Sequence, residues 1–283
     1  MTQPLLRRAA HAAPGMVLLI APAAWAQEAM YTEAATMPSK GTVVLREQLH
    51  FYRFGLNPIN GDQRTDKVEL SSLANIGLGS GWALSAEVPV QHETTEDSGG
   101  DREAHVGVDD IHLMLKWRVY KHDSGGIDTL RIALLGGADV TGGDNSRFAS
   151  QSVNPFLGGV ITIVRGRHGF NQDVIYQFNT GGQEESNLGG EGPADALRFN
   201  TAYLYRIYPD AYTQETTGAW YVTAEVNGLY ETNGDIELRF APGLMFEGRT
   251  FGFEVMGQLP MWHELRHRPE LDFGVGVGVR FFF

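Results

Sequence analysis

The chain has 283 residues, 42% of them hydrophobic and 20% charged, with 35 glycines and 22 basic against 34 acidic side chains for a net charge of −12. The low charge fraction excludes a coiled coil, 11% aromatic residues argue against wholesale disorder, and the acidic balance speaks against a large nucleic-acid surface. With no cysteine, a disulfide framework, a zinc–thiolate site, an iron–sulfur cluster and a cysteine nucleophile are all ruled out.

Residues 1–26 read as a secretory signal peptide. Arg7 and Arg8 supply the positive start, the uncharged stretch from Ala12 to Ala23 centres on Met16–Ile20, and Ala24-Trp25-Ala26 fits the small-x-small cleavage rule. Pro14 and Pro22 break the apolar run, which is too short for a helix crossing about 30 Å of hydrocarbon. A polar leader, residues 27–40, follows. By its composition it reads as a disordered terminus, with a seat in the pore mouth as the alternative. Nothing downstream is apolar for long enough to make a membrane-spanning helix, so a membrane-embedded form has to be a closed β-barrel, in which strands satisfy one another's backbone groups.

From residue 41 to 283 the chain breaks into twelve period-two segments separated by Gly, Asp, Asn and Pro clusters: 42–54, 66–78, 81–92, 107–120, 127–140, 151–165, 169–180, 195–208, 218–231, 235–246, 250–261 and 271–283. A tilted membrane strand needs about 9–11 residues within hydrocarbon, and each segment exceeds that. The alternation is plain in Val68, Leu70, Ala74, Ile76 and Leu78, in Trp82 to Val90, in Ile236 to Phe246, and in Leu271 to Phe283. Connectors alternate as well. Gly79–Gly81, Lys121–Gly126, Gly166–His168 and Glu247–Arg249 are tight, whereas Gly55–Thr65, Gln91–Val106, Thr141–Ser150, Gly181–Ala194 and Trp262–Glu270 are longer and polar. Pro209–Thr217 and Thr232–Gly234 are the exceptions. Short periplasmic turns, long outer loops and an even strand number are the pattern of outer-membrane barrels. The fold expected is an all-β, antiparallel, twelve-stranded transmembrane β-barrel in a bacterial outer membrane. The last strand resembles the C-terminal signal of such barrels, with Phe281 and Phe283 as the residues read by the barrel-assembly machinery.

With the apolar face toward lipid, the opposite face carries Arg46, Lys116, Arg118, Arg131, Arg198, Arg206, Arg239 and Arg280 together with Glu69, Glu87, Asp110, Asp173, Glu225, Glu237, Glu254 and Asp272. These sixteen line the expected lumen. They suit either an ion-pair network that fills the barrel or a narrow polar pore. Glu47 falls on the apolar face between Leu45 and Leu49, where a charge is costly, which calls for a bulge or another register. Tyr52, Tyr120, Tyr208 and Tyr221 fall on the lumenal face. Other aromatics near segment ends read as interfacial girdles.

His263-Glu264-Leu265-Arg266-His267 is a literal H-E-x-x-H, but a short connector closed by Pro269 leaves no room for the helix that sets the zinc ligands one turn apart. No metal, cofactor or catalytic residue is expected. His50 and His112 fall on the lumenal face with no serine placed beside them, which does not suit a lipid-facing Ser–His dyad. Gly274, Gly276 and Gly278 precede no helix, so they read as small residues on a crowded lumen wall rather than a dinucleotide fingerprint. The outer connectors are acidic, with Glu93, Glu96, Asp97, Asp101 and Glu103 against Arg102 in one and Glu184, Glu185 and Glu191 in another. They suit solvated loops beside lipopolysaccharide, or cation attraction at a channel mouth.

Three strings carry a family likeness. Gly107-Val108-Asp109-Asp110-Ile111 leads to Lys116-Trp117-Arg118, Leu134 to Val140 closes on Thr141-Gly142-Gly143-Asp144, and Asn154-Pro155-Phe156-Leu157-Gly158 opens the next segment. Together they resemble the outer-membrane "MetA-pathway of phenol degradation" family, often labelled transporter, over residues 70–283. Val108-Asp109 stands where that family has Gly-Asp, and Val140 precedes Thr141-Gly142 where proline is expected. The resemblance implies a barrel handling small, often aromatic or apolar, compounds, and it carries no catalytic residues over. The function expected is a non-enzymatic outer-membrane channel for passive passage of small solutes, aromatic or apolar compounds among them, with lipid, lipopolysaccharide and the assembly machinery as its surroundings and no nucleic-acid partner. The alternative is a closed structural or adhesive barrel filled by ion pairs.

Overall fold

A computed structural model describes residues 28–59, 63–143, 147–182 and 189–283. The expected signal peptide lies outside the described residues, as do Glu184 and Glu185. The strands in chain order are β1 (Val43–Phe54), β2 (Arg64–Gly79), β3 (Trp82–Glu96), β4 (Arg102–Val108), β5 (Ile111–Ser124), β6 (Asp128–Val140), β7 (Val153–Arg165), β8 (His168–Gln177), β9 (Ala196–Tyr208), β10 (Gly218–Glu231), β11 (Ile236–Gly248), β12 (Phe251–Glu264) and β13 (Leu271–Phe282). Every neighbouring pair is antiparallel, and the β1–β13 and β2–β3 pairings close the sheet on itself. No helix occurs among the described residues.

Thirteen strands make twelve staves. β3 pairs with β5 from Trp82 to Glu87 and with β4 from Val90 to Glu96, so β4 and β5 are one stave broken at Asp109-Asp110. The break faces Pro89, which has no N–H to give the ladder, and the Asp109 N–H bonds to the Pro89 carbonyl instead. The long loop expected over Gln91–Val106 is therefore mostly strand. It turns at Asp97, whose carboxylate accepts from the N–H groups of Gly99 and Asp101, both at 2.9 Å.

Turns at the end holding Val43 and Phe283 are short, as expected, apart from the connector 209–217 between β9 and β10. Gly79, Ser80 and Gly81 all have left-handed φ (88°, 53° and 81°), which two glycines make accessible. Val43 and Phe283 exchange backbone hydrogen bonds of 3.1 and 2.9 Å, sealing the seam between the first and last strands. The outer face is an apolar band that includes Leu45, Leu49, Leu70, Leu134, Val222 and Val277, all exposed. Trp82 stacks on Trp117 (5.1 Å) and Trp220 packs on Phe246 (5.1 Å) at the short-turn end, and Phe51 meets Phe273 (5.9 Å) at the other. Aromatics at both rims of an apolar band mark the two lipid–water interfaces.

The register shifts at five places, at Leu78 beside the first short turn, at Met261 in β12, and at three bulges that move expected faces. An extra residue at Val119 puts Tyr120 opposite Ile132, so Tyr120 points outward. A second at Ile207 sets Tyr208 opposite Trp220, also outward and 65% exposed. A third at Asp272 pairs Phe54 with Leu271. Leu271, expected to face lipid, is buried inside against Tyr52 and Phe54, and Asp272, expected in the lumen, is exposed on the bulge. Glu47 needs no bulge. Its register is continuous with both neighbours, and it stays on the outer face, accepting a 2.6 Å hydrogen bond from the Ser72 hydroxyl.

Candidate functional site: a strap across the lumen

The leader is not the disordered terminus its composition suggests: from Glu28 on it is ordered and fills the half of the lumen nearer the short turns, because wall side chains satisfy its backbone. It enters the barrel beside Gly77, whose N–H and carbonyl bond to the Thr42 carbonyl and the Gly41 N–H. A Cβ at Gly77 would lie 2.1 Å from the Ser39 carbonyl oxygen, so only glycine lets the strap pass there. Ala29, Thr32, Ala34 and Ala35 are all buried.

The segment makes no strand pairing, and wall side chains satisfy its backbone instead. Glu225 accepts from the N–H of Met30 (2.9 Å), the N–H of Tyr31 (3.2 Å) and the hydroxyl of Thr32 (2.6 Å). Asp173 accepts from the Glu33 N–H and Thr162 from the Ala35 N–H, both at 2.8 Å. In the other direction, Arg46 donates to the Ala29 carbonyl (2.9 Å), Arg280 to the Glu28 carbonyl (2.6 Å) and Lys116 to the Ala34 carbonyl (2.8 Å). Lys116 also pairs with the Glu33 carboxylate at 2.7 Å.

Apolar contacts fit the same path. Ala29 packs with Ala202, Leu204, Ala219, Tyr221 and Met245, Met30 with Ala241 and Met256, and Ala35 and Met37 with Met114, Ala133, Leu135, Phe156 and Val160. Gly276 is part of this fit, since a Cβ there would come 2.8 Å from both Met30 Sδ and His50 Nδ1. The glycines at 274, 276 and 278 do line a crowded inner wall, and the leader is what crowds it.

Ion pairs and inward-folded loops occupy the outer half. Lys67 pairs with Glu93 (3.4 Å), which Arg147 also approaches (3.5 Å). Gln91 donates to Asp109 and to Glu69. Phe148 lies over Gly107, where a Cβ would come 2.1 Å from its ring. Arg268, 3% exposed, reaches in from the last outer loop to Glu231 (3.0 Å) and Glu237 (2.7 Å), and Glu237 also holds Arg239 at 2.7 Å. Burial works against the Arg268 charge, but the two carboxylates outweigh it and raise its pKa above the ordinary value. The Gly190 N–H caps the same Glu231 at 2.9 Å.

The structure thus turns fifteen of the sixteen expected lumenal charges inward, Asp272 being the exception. It gathers Arg46, Arg280 and Glu254 into one cluster (2.8 and 2.6 Å) and Glu237 and Arg239 into another. Glu87 accepts from Ser71, Asp110 from the Ser150 N–H (3.0 Å), and Arg131 lies near Asp123 (3.5 Å). Arg198 lies beneath Gly190, Arg206 packs on the Tyr212 ring (4.1 Å), and Arg118 is half-buried near the short-turn end. Missed by alternation were Lys67, Glu93, Asp109, Glu231 and Arg268. Lys67 stands at the edge of the segment 66–78 and Glu93 one residue past 81–92, so carrying the alternation to the full ends of β2 and β3 would have found both, but Arg268 comes from a loop with no period. Of the four tyrosines, Tyr52 and Tyr221 are inside.

The H-E-x-x-H string is not a helical zinc site. His263 and Glu264 end β12, His263 pairs with Glu270 (2.9 Å), and His267 pairs with Asp235 (3.0 Å). Among the described residues no three His, Asp or Glu side chains are arranged to hold a metal ion. His112 pairs with Asp139 (2.6 Å) and stacks on Phe156 (4.6 Å), and His50 stacks on Tyr52 (5.6 Å).

A closed antiparallel barrel of twelve staves, apolar outside and polar within, is an outer-membrane β-barrel. No family model matches the chain, and no curated protein matches it. Among solved structures, an outer-membrane channel from Pseudomonas putida is similar over 88% of this chain and 97% of its own, with a TM-score of 0.54 and 12% identity. The NanC porin is similar over 84% and 98%, with a TM-score of 0.50 and 12% identity. LpxR from Salmonella typhimurium, an enzyme barrel, is similar over 86% and 100% at a TM-score of 0.45 and 11% identity. At such identities the likeness concerns the fold.

Proposed function

We propose that this chain is an outer-membrane channel for small solutes, aromatic or apolar compounds among them, held closed at rest by its own leader. The observation that carries this reading is how the leader is held. Glu28–Met37 lies in the lumen on bonds from wall side chains to its backbone and side chains and outside the sheet ladder, so it can leave without breaking a strand pairing. The apolar wall under Ala35 and Met37 offers an apolar solute a surface once the strap has moved. The resemblance of the Gly107–Arg118, Leu134–Asp144 and Asn154–Gly158 strings to the phenol-degradation family supports the same solute class. Chemistry at the lumen plays no part in this reading. Lipid and lipopolysaccharide surround the barrel, and Phe281 and Phe283 present it to the assembly machinery.

A second reading, a permanently closed structural or adhesive barrel, draws on the paired charges of the outer half. Single-channel recording of the refolded protein in a planar bilayer separates the two. A gated channel gives discrete steps that become frequent when Glu225→Ala loosens the leader. A barrel that folds yet stays silent in both forms overturns the channel.

A further inference from the structure

The strap shows what its seat binds. Glu33 places a carboxylate on Lys116, a fully buried ammonium, at 2.7 Å, and His112 and Arg46 also act on that carboxylate electrostatically. Two residues on, Ala35 covers an apolar shelf made by Met114, Leu135, Phe156 and Val160. The shelf adjoins the ammonium through the backbone. Met114 is the next inward residue along β5 from Lys116, and Leu135 is the direct cross-strand partner of Lys116. Phe156 lies over Gly137, where a Cβ would sit 2.6 Å from its ring, and His112 stacks on it nearly parallel (5°). The nearby wall carboxylate, Asp173, has its own donor in Asn200 at 2.9 Å, so it remains partnered when the Glu33 N–H leaves.

We infer that this seat is the binding site for a small carboxylate with an apolar body, benzoate being the simplest aromatic case, and that Glu33 with Ala35 occupies it as an internal stand-in. The charge-assisted bond to Lys116 selects the carboxylate, and the Met114–Leu135–Phe156 shelf takes the ring. A neutral alcohol of the same shape forfeits the ion pair, and an amine meets a like charge. Ligand and leader compete for one seat, so a bound carboxylate also favours the unseated leader. This rests on the channel reading for its biological sense, but the site is testable without it.

Calorimetric titration of the full-length folded protein with sodium benzoate, benzyl alcohol and benzylamine tests the assignment, using the unaltered chain and Glu33→Gln. Benzoate should bind Glu33→Gln at least ~tenfold more tightly than the unaltered protein, because the internal carboxylate no longer competes. Neither neutral nor cationic analogue should gain. Adding Lys116→Gln should abolish the gain, and adding Lys116→Arg should keep most of it. The ligand panel on Glu33→Gln stands even if Lys116→Gln fails to fold. Equal gains for benzoate and benzyl alcohol, or no gain for either, overturn the site. Conducting steps from Glu33→Gln without selective benzoate binding leave the channel reading standing and remove this one. Selective binding by a barrel that never conducts does the reverse.

Discussion

Glu225 is the anchor on which the closed state most depends, and its removal should unseat the leader by a calculable amount. Its two oxygens take three donors from consecutive leader residues, Met30, Tyr31 and Thr32, at 2.9, 3.2 and 2.6 Å. A hydrogen bond to a charged partner is worth about 1.5–3 kcal/mol and a neutral one about 1. Water and neighbouring groups recover part of the loss in Glu225→Ala, so about 1 kcal/mol net for each of the three gives ~3 kcal/mol. At 1.4 kcal/mol per factor of ten, the seated-to-unseated ratio should fall roughly a hundredfold. Hydrogen exchange read by mass spectrometry on the peptide containing Met30–Ala35 should speed up by about that factor. Amides of β10, held by the ladders to β9 and β11, should keep their protection. Glu225→Gln retains one acceptor oxygen and should fall between. Unchanged leader exchange in a folded Glu225→Ala protein would refute the argument, since it would mean the strap is held by apolar packing and the other wall bonds alone.

Four other outcomes are expected. Arg268→Ala takes the cation from the buried Glu231, leaving it the Gly190 N–H, and leaves Glu237 with Arg239 alone; it should destabilise the barrel by about 3 kcal/mol in equilibrium unfolding, and a shift below ~1 kcal/mol would mean that the Glu231 charge is hydrated. Gly276→Val drives side-chain atoms into Met30 and His50, costs about 1–3 kcal/mol of packing, and should expose the leader to protease while leaving the strands resistant. Glu47→Leu replaces a lipid-facing carboxylate and should stabilise folding into bilayers by about 1 kcal/mol, despite the lost Ser72 bond. The reversal potential of open channels should show cation preference at low salt that fades above ~0.1 M, where the Debye length drops to about 10 Å and screens the acidic hairpin around Asp97 and Asp101.

Much of the fold was legible because a barrel repeats one rule. Side chains alternate at every second residue, lipid punishes a misplaced charge, and the turn lengths alternate with topology, so twelve staves could be counted from residues such as Val68 to Leu78 and Ile236 to Phe246. The alternation failed where the ladder gains a residue. Val119, Ile207 and Asp272 each shift parity by one, which moved Tyr120, Tyr208 and Leu271 to the opposite face. Nothing local announces such a bulge, because its cause is the register demanded by the neighbouring strand. The break at Asp109-Asp110 has a visible cause in Pro89, but only the pairing of β3 with both β4 and β5 shows that the two prolong a single stave.

The inward charges were legible singly and not as partners. Period two says that Arg46, Glu254 and Arg280 share the lumenal face. That they meet within 3 Å depends on β1, β13 and β12 being neighbours around a closed sheet, and more than 200 residues separate Arg46 from Glu254. The leader shows the limit most clearly. Thr32, Glu33 and Ala35 form no periodic pattern, and composition alone points to a free terminus where the structure has a plug. Sequence by itself determined the barrel, its stave count and the polarity of its two faces, because those follow from local alternation against a solvent of fixed thickness. Tertiary structure alone decided that the lumen is occupied and by what, because the strap's seat is assembled from Glu225, Asp173, Thr162 and Lys116 on four separate strands that come together only when the sheet closes.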